Sequence, residues 1–238
     1  SIRAWADHAE SALQNRRLRD DQIITQAIQQ VAQMIGENPE PQDLVDLLRE
    51  KMCGPHVSTC VMMFYGPLRE DRPNGPFDYL EVRGNWSRRA GSGSAQGIKI
   101  YLDQYPDLLT RFDEHRVIIT TVDESIMNQY DPLIRGMLRA EEIKSMLRVA
   151  LHAGQQRVGM LFVGSDQPHH FSVQEANGYR IVGEFIAMSI LARTLQQQHD
   201  YVQRARADVL DAVTDGVMMV LPNGSSKGAA HVLTINQG

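Results

Sequence analysis

A run of spaced residues near the carboxyl end limits most what this chain can become. Ile181, Phe185, Met188, Ala192, Leu195, His199, Val202, Arg206 and Val209 follow one another at spacings that alternate between four and three. That repeat keeps one stripe on one side of a helix. It predicts a continuous helix from about Val173 to Ala212. Ser172 with Glu175 three residues on forms a capping-box signature at its start. A helix this long exceeds what a single domain needs to cover its own core. A parallel two-helix coil explains the length, with His199 and Arg206 as polar seam residues that set register at a cost in stability. The competing reading is one long helix packed on its own domain.

The amino end shows a shorter version of the same pattern. Residues Ile2 to about Ile35 contain no Gly or Pro, and Ile24, Ile28, Val31 and Ile35 mark one helix face, preceded by a weaker stripe of Ile2, Trp5, Ala9, Ala12 and Leu13. Gly36–Glu37–Asn38–Pro39–Glu40–Pro41 ends it. Between the two helical ends the pattern changes to period two. A helix is predicted over about Gln42–Met52, then strands over Val57–Tyr65 and Phe77–Ser87 around the Pro- and Gly-containing loop Arg69–Pro76. Arg88–Gly97 reads as a flexible Gly-Ser connection. Ile98–Arg111 reads as a helix with Ile98, Tyr101, Leu102, Tyr105, Leu108 and Leu109 on one side, kinked or shortened by Pro106. Arg116–Val122 is a strand, Asp123–Glu142 a loop and helix, and Ser145–Ala150 and Val158–Val163 are two strands joined by a turn at Ala153–Gln156. Hairpins at both ends of the order imply an α+β fold, an antiparallel sheet packed between helices, without Rossmann or TIM-like alternation.

Composition excludes several functions. The chain has 238 residues, 42% of them hydrophobic, and a net charge of −5. Mean hydropathy is −0.32, and its longest apolar runs fall far short of the ~20 residues that cross a bilayer. The amino end is amphipathic and charged, unlike a secretion signal. Cytoplasmic location without membrane contact is the expectation. The net acidity gives no drive toward nucleic acid, and the one basic spot, Arg16–Arg17–Leu18–Arg19, runs straight into Asp20–Asp21. Two cysteines, Cys53 and Cys60, are too few for a disulfide framework or a four-ligand zinc site, and their apolar surroundings suggest reduced core thiols.

Taken in order, these segments resemble the GAF domain, a sensory module of bacterial signalling proteins. The resemblance runs over about Pro41–Gln197: Asp43–Leu48 leading to Val57–Phe64, then Ile98–Pro106, Val117–Ile119 with Asp123, Ile143–Leu151, the strand Val158–Val163, and His169–Glu175 entering the last helix. A second stretch, Val209–Val220 with Val232–Asn236, is similar to the opening of a PAS domain, although the connection Leu221–His231 is longer than a tight PAS hairpin. About thirty residues bury too little surface for a complete core. The implied organisation is an amino-terminal dimerisation helix over 1–36, a GAF-like domain over 37–197, a helical linker over 198–212 and an incomplete PAS-like start over 208–238, in a fragment of a longer protein.

The resemblance implies a pocket between the sheet and the segments Ile98–Arg111 and Ser125–Glu142. Tyr79, Tyr101, Ile118, Met146 and Arg148 are its candidate lining residues, although for any one of them filling the core is the stronger reading; Arg148 is a charge inside an apolar strand. GAF domains bind cyclic nucleotides, bilins, haem or small metabolites, and some bind nothing. Neither cysteine is followed by the His that covalent bilin attachment favours, and the charged signature of cyclic-nucleotide binders is absent, so neither ligand is supported and the cofactor stays unknown. His169–His170 reads as a loop, because adjacent residues seldom converge on one ion without further ligands. Asp113–Glu114–His115 reads as a solvated charge run, and no nucleotide-cradling loop or nucleophile motif occurs.

The resulting expectation is no enzyme. It is a signal-input domain of the histidine kinase or cyclic-dinucleotide enzyme type, homodimeric through terminal helices with the seam Ile181, Phe185, Met188, Leu195, His199, Val202 and Val209. A small-molecule ligand is its expected partner. The alternatives are a ligand-free docking module and, more remotely, a thiol-based methionine sulfoxide reductase of GAF fold.

Overall fold

The computed structural model describes residues 11, 14–15, 22–34, 39–66, 77–104, 116–130, 132–216, 218–222 and 230–234. The segments Arg16–Arg19, Arg69–Pro76 and Asp113–His115, and most of the predicted amino-terminal helix, lie outside these residues. Two compact units divide the chain, Ser1–Leu191 and Ala192–Gly238.

In the first unit, helix 22–34 (α1) buries Ala27 and Val31 and half-buries Ile24 and Ile28, which is the amphipathic face its spacing predicts. Helix α2, Pro41–Lys51, starts on Pro41, where the missing N–H costs nothing, and closes a reciprocal capping box between Glu40 and Asp43. It buries Leu44, Val45 and Leu48.

The strands are β1 Val57–Gly66, β2 Tyr79–Ser87, β3 Gly91–Ser92, β4 Lys99–Tyr101, β5 Val117–Thr121, β6 Ser145–Ala153 and β7 Gln156–Ser165. They pair antiparallel in the order β3-β2-β1-β7-β6-β5, with β4 also on β2. A two-residue turn joins β6 to β7, and Gly154 takes the φ of +63° there that other residues resist.

Alternation along the central strands sorts side chains to two faces. Cys60, Met62 and Phe64 of β1, Leu147, Val149 and Leu151 of β6, and Leu161 and Val163 of β7 join the core under α1, α2 and the last helix. Met63 and Tyr65 of β1, with Ala150 and Met160, join a second core with Leu80, Val82, Ile100 and Leu102. Beyond it lie two short helices, α3 Glu124–Met127 and α4 Pro132–Ala140. Asp123 caps α3 by accepting from the Ile126 N–H at 2.8 Å.

The last helix, α5, runs Val173–Gly216, four residues beyond the predicted end. Its predicted capping box is present: the Ser172 N–H donates to Glu175 Oε2 at 2.8 Å and the Glu175 N–H to Ser172 Oγ at 3.1 Å. In the first unit it buries Ala176, Tyr179, Val182, Ile186, Ala187 and Ile190 against the sheet.

Two expectations are corrected. Ile98–Arg111 does not begin as a helix: Lys99–Tyr101 is a strand followed by a 3₁₀ turn at Leu102–Gln104, while 105–111 lie outside the described residues. Exposed Lys99, buried Ile100 and exposed Tyr101 follow period two, and pairing with β2 supplies the hydrogen bonds a helix would have made internally. Arg88–Gly97 is an organised turn rather than a free linker. Buried Asn85 donates from Nδ2 to Ser94 Oγ at 3.0 Å and accepts from the Ala95 N–H at 2.9 Å.

In the second unit, the carboxyl part of α5 is followed by an antiparallel hairpin of β8 Met218–Pro222 and β9 Ala230–Thr234, in the register Val220↔Val232.

Candidate functional site

Met146 and Arg148 of β6 and Met160 and Phe162 of β7 point to the α3 and α4 side, and here a cavity of about 80 Å³ opens. Its wall is Leu80, Ile100, Tyr130, Ile134, Leu138, Met146, Arg148, Met160 and Phe162. The atoms that face it are apolar, those of Tyr130 and Arg148 included. Arg148 is 6% exposed and its Nη2 donates to Thr120 Oγ1 at 3.2 Å. A guanidinium keeps its charge when buried, and burying a charge costs several kcal/mol unless it is well partnered. The stem of Arg148 borders this apolar space while its charged head reaches Thr120, so a small ligand bearing an acceptor or negative charge would meet the guanidinium only at the edge of the cavity.

Met146 and Arg148 are thus brought together at one cavity. Tyr79 and Tyr101 are not: they are register partners on the opposite side of their strands from Leu80 and Ile100, which take the inward places. Their rings meet edge to face at 6.1 Å, Lys99 Nζ sits 4.3 Å over Tyr79, and Tyr101 is 51% exposed. Ile118, opposite Arg148 in register, packs at the core margin but outside the cavity wall.

On the other face, Cys60 is fully buried and Cys53 half-buried, and both are free thiols. A hydrogen bond from Cys60 holds the Cys53 thiol below its usual pKa, while that same contact and burial push Cys60 well up. Burial likewise raises the Tyr179 phenol, whose hydroxyl lies 3.2 Å from Met52 O and 3.7 Å from Cys53 Sγ.

A further cluster was invisible in the spacing. His56, in the turn before β1, and His169, in the loop after β7, stack with ring centroids 3.6 Å apart, and both reach the third residue of α5. Glu175 Oε1 lies 3.4 Å from His56 Nε2 and 3.3 Å from His169 Nε2. Burial, with His169 alongside, lowers the His56 pKa. Burial acts to raise the Glu175 carboxyl, but hydrogen bonding to Ser172 and the two histidines hold it below its ordinary value. His169 therefore belongs to a three-residue constellation, while exposed His170 does not.

The seam residues of α5 fall into two groups. Ile181 and Phe185 are half-buried. Met188, Leu195 and Val202, seven residues apart, are 47%, 43% and 45% exposed, and His199 is exposed too. The side chain of Val209 lies outside the described residues. Among the described residues no helix is long and apolar enough to cross a membrane.

No protein-family model matches the chain, and no curated protein matches it. Solved structures do. The phycoerythrobilin-bound GAF domain from a cyanobacterial phytochrome aligns with a TM-score of 0.54 at 13% identity, over 73% of this chain and 97% of that one. The phycocyanobilin-bound GAF domain from a cyanobacterial phytochrome aligns equally well, over 73% of this chain and 96% of that one, again with a TM-score of 0.54 and 13% identity. At that identity the likeness shows the fold, and the fold is that of a GAF domain.

Proposed function

We propose that this chain is a non-enzymatic signal-input domain, in which a small ligand with an acceptor or anionic group occupies the cavity beside Arg148. The observation that carries the reading is a buried arginine whose side chain borders an apolar cavity. The cavity, about 80 Å³, is roughly half the size of a cavity that takes up benzene. That scale favours a ligand of a few heavy atoms and disfavours a linear tetrapyrrole of the kind held by the two phytochrome domains. Full burial of Cys60 supports a reading without thiol catalysis.

Output would pass through α5 in a cytoplasmic homodimer. Exposed Met188, Leu195 and Val202 at heptad spacing support a parallel helix pair. The β8–β9 hairpin supports the reading of a following PAS-like segment. A ligand moves such a helix only if it binds one helix arrangement better than the other.

The test is thermal unfolding of the chain with a panel of small carboxylates and oxyanions. A ligand at a hundred times its Kd adds about 2.7 kcal/mol of stability, or several degrees in Tm at this size. Arg148→Met replaces the buried charge with an apolar chain of similar length and should erase the shift, with the variant's own cooperative unfolding transition showing that it is folded. A shift of equal size in R148M, or none with any of the panel, refutes the reading.

A further inference from the structure

On the other face of the sheet from the Arg148 cavity, we infer that His56, His169 and Glu175 form a binding site for a borderline divalent transition-metal ion such as Zn²⁺. One ring nitrogen of His56, one of His169 and a carboxylate oxygen of Glu175 all lie within 4.8 Å of one another. Ligands about 2.1 Å from a four-coordinate zinc stand about 3.4 Å apart. The Glu175–His56 and Glu175–His169 separations of 3.4 and 3.3 Å already have that value. Two imidazoles and one carboxylate suit zinc, nickel, copper or cobalt, and give magnesium or calcium too few oxygens.

The three ligands come from separate segments, and each segment is fixed at its backbone. Ser165 Oγ donates to His56 O at 2.7 Å, and the His169 N–H donates to Ser145 Oγ at 3.0 Å. Both serines are buried and are register partners across β6 and β7. Arg88 Nη2 donates to Pro55 O and Val57 O on either side of His56, and its Nη1 meets Asp166 at 3.3 Å. Asp166 offsets the Arg88 guanidinium charge close to the site. Glu175 is held by the capping box through Oε2, which leaves Oε1 directed at the histidines. Phe171 packs edge-on against both rings. The backbone positions are thus fixed, but the rings as stacked point their lone pairs side by side, so one imidazole must turn before both can hold one ion.

The site is also reachable. The three side chains are 23–27% exposed, and a second cavity of about 200 Å³ has His56 and Glu175 in its wall beside Gly54, Gln174, Gly178 and Tyr179. Structural zinc sites close all four positions with protein ligands; here His56 and Glu175 border open volume, which leaves a fourth position to water or a small anion. An ion here would join the turn before β1, the loop after β7 and the first turn of α5, so occupancy would stiffen the start of that helix.

The test is calorimetric titration of Zn²⁺ into the full chain after chelator treatment, with Co²⁺ as a spectroscopic probe. The expected result is one ion per chain, d–d absorption typical of a low-coordinate Co²⁺ with nitrogen and oxygen ligands, and a raised Tm. His169→Ala should weaken binding at least 100-fold. Glu175→Gln, which keeps an acceptor for the Ser172 N–H, should weaken it at least tenfold with the apo-protein Tm little changed. Cys53→Ser should bind like the parent. Absence of binding by the parent chain overturns the inference, since the two histidines would then only hydrogen-bond to Glu175. Undiminished binding in a His56→Ala/His169→Ala double variant overturns it as well.

Discussion

Gly159 is the position at which the fold leaves least room. It lies in β7, paired with Phe64 of β1 on one side and Leu151 of β6 on the other. A Cβ built there would stand 2.0 Å from the Met63 carbonyl oxygen, 2.9 Å from Phe64 Cα and 3.0 Å from the Met63 carbonyl carbon. Every one of these atoms is backbone, so no side-chain rotation relieves the contact. To restore ordinary separation, β1 and β7 must part by more than an ångström. Ladder hydrogen bonds near 2.9 Å would then stretch beyond useful length. Loss of two such bonds at about 1 kcal/mol each, with about 1–3 kcal/mol for overpacking, predicts that Gly159→Ala costs about 3–5 kcal/mol. That is a large part of the 5–15 kcal/mol a domain typically has. With a urea m-value of about 2–3 kcal/mol/M, the midpoint followed by far-UV circular dichroism should fall by roughly 1–2 M. Gly136→Ala is the matched control: its Cβ meets nothing within 4 Å in α4, so removing a helix-interior glycine should add up to about 1 kcal/mol. A loss below about 1 kcal/mol in G159A would refute the close approach of β1 to β7.

Two further outcomes concern the helix and the thiols. Leu195→Glu with Val202→Glu places like charges in the proposed α5 seam, so sedimentation should show a dimer become a monomer; dimers that persist would remove the seam. Iodoacetamide should label Cys53 in the folded chain and spare Cys60. Because Cys53 is held below the usual thiol pKa, its labelling should persist to lower pH than that of a free thiol and fall as it protonates, since only the thiolate attacks. Mass spectrometry of peptides would read this, and modification of Cys60 first would contradict the packing.

Much of this architecture is legible in local pattern. The capping box at Ser172–Glu175, the apolar face of α1 and the turn at Gly154 are short-range features with their own energetics, and each is present in the structure. The strand at Lys99–Tyr101 is the counter-example. Three residues carry too little periodicity to separate two from 3.6, and what decides them is β2, which lies some twenty residues earlier and supplies their partners. Asn85 is similar: its organisation of the turn at Ser94–Ala95 depends on a polar side chain being buried in place, which spacing does not reveal. The cavity shows the same division. Met146 and Arg148 are found by alternation within one strand, whereas choosing Leu80 and Ile100 over Tyr79 and Tyr101 requires the register between two.

The His56–His169–Glu175 cluster marks the limit of such reading, since its members are up to 119 positions apart and meet only because β1 and β7 are neighbours. Its placement also bears on how a domain of this kind would work. Met146, Arg148, Met160 and Phe162 line the first cavity. The intervening Leu147 and Leu161, with Val149 and Val163, lie in the core under α5. A ligand beside Arg148 therefore has one strand thickness between it and the helix, and shifting β6 or β7 to fit it displaces the side chains on which Val182 and Ile186 rest. The His/Glu cluster needs no such relay, because Glu175 is itself in the first turn of α5. On the two proposals, one helix has two separate points of leverage, packing within its first four turns and ligation at its third residue. Because interiors are close-packed, small displacements at either point are transmitted rather than absorbed.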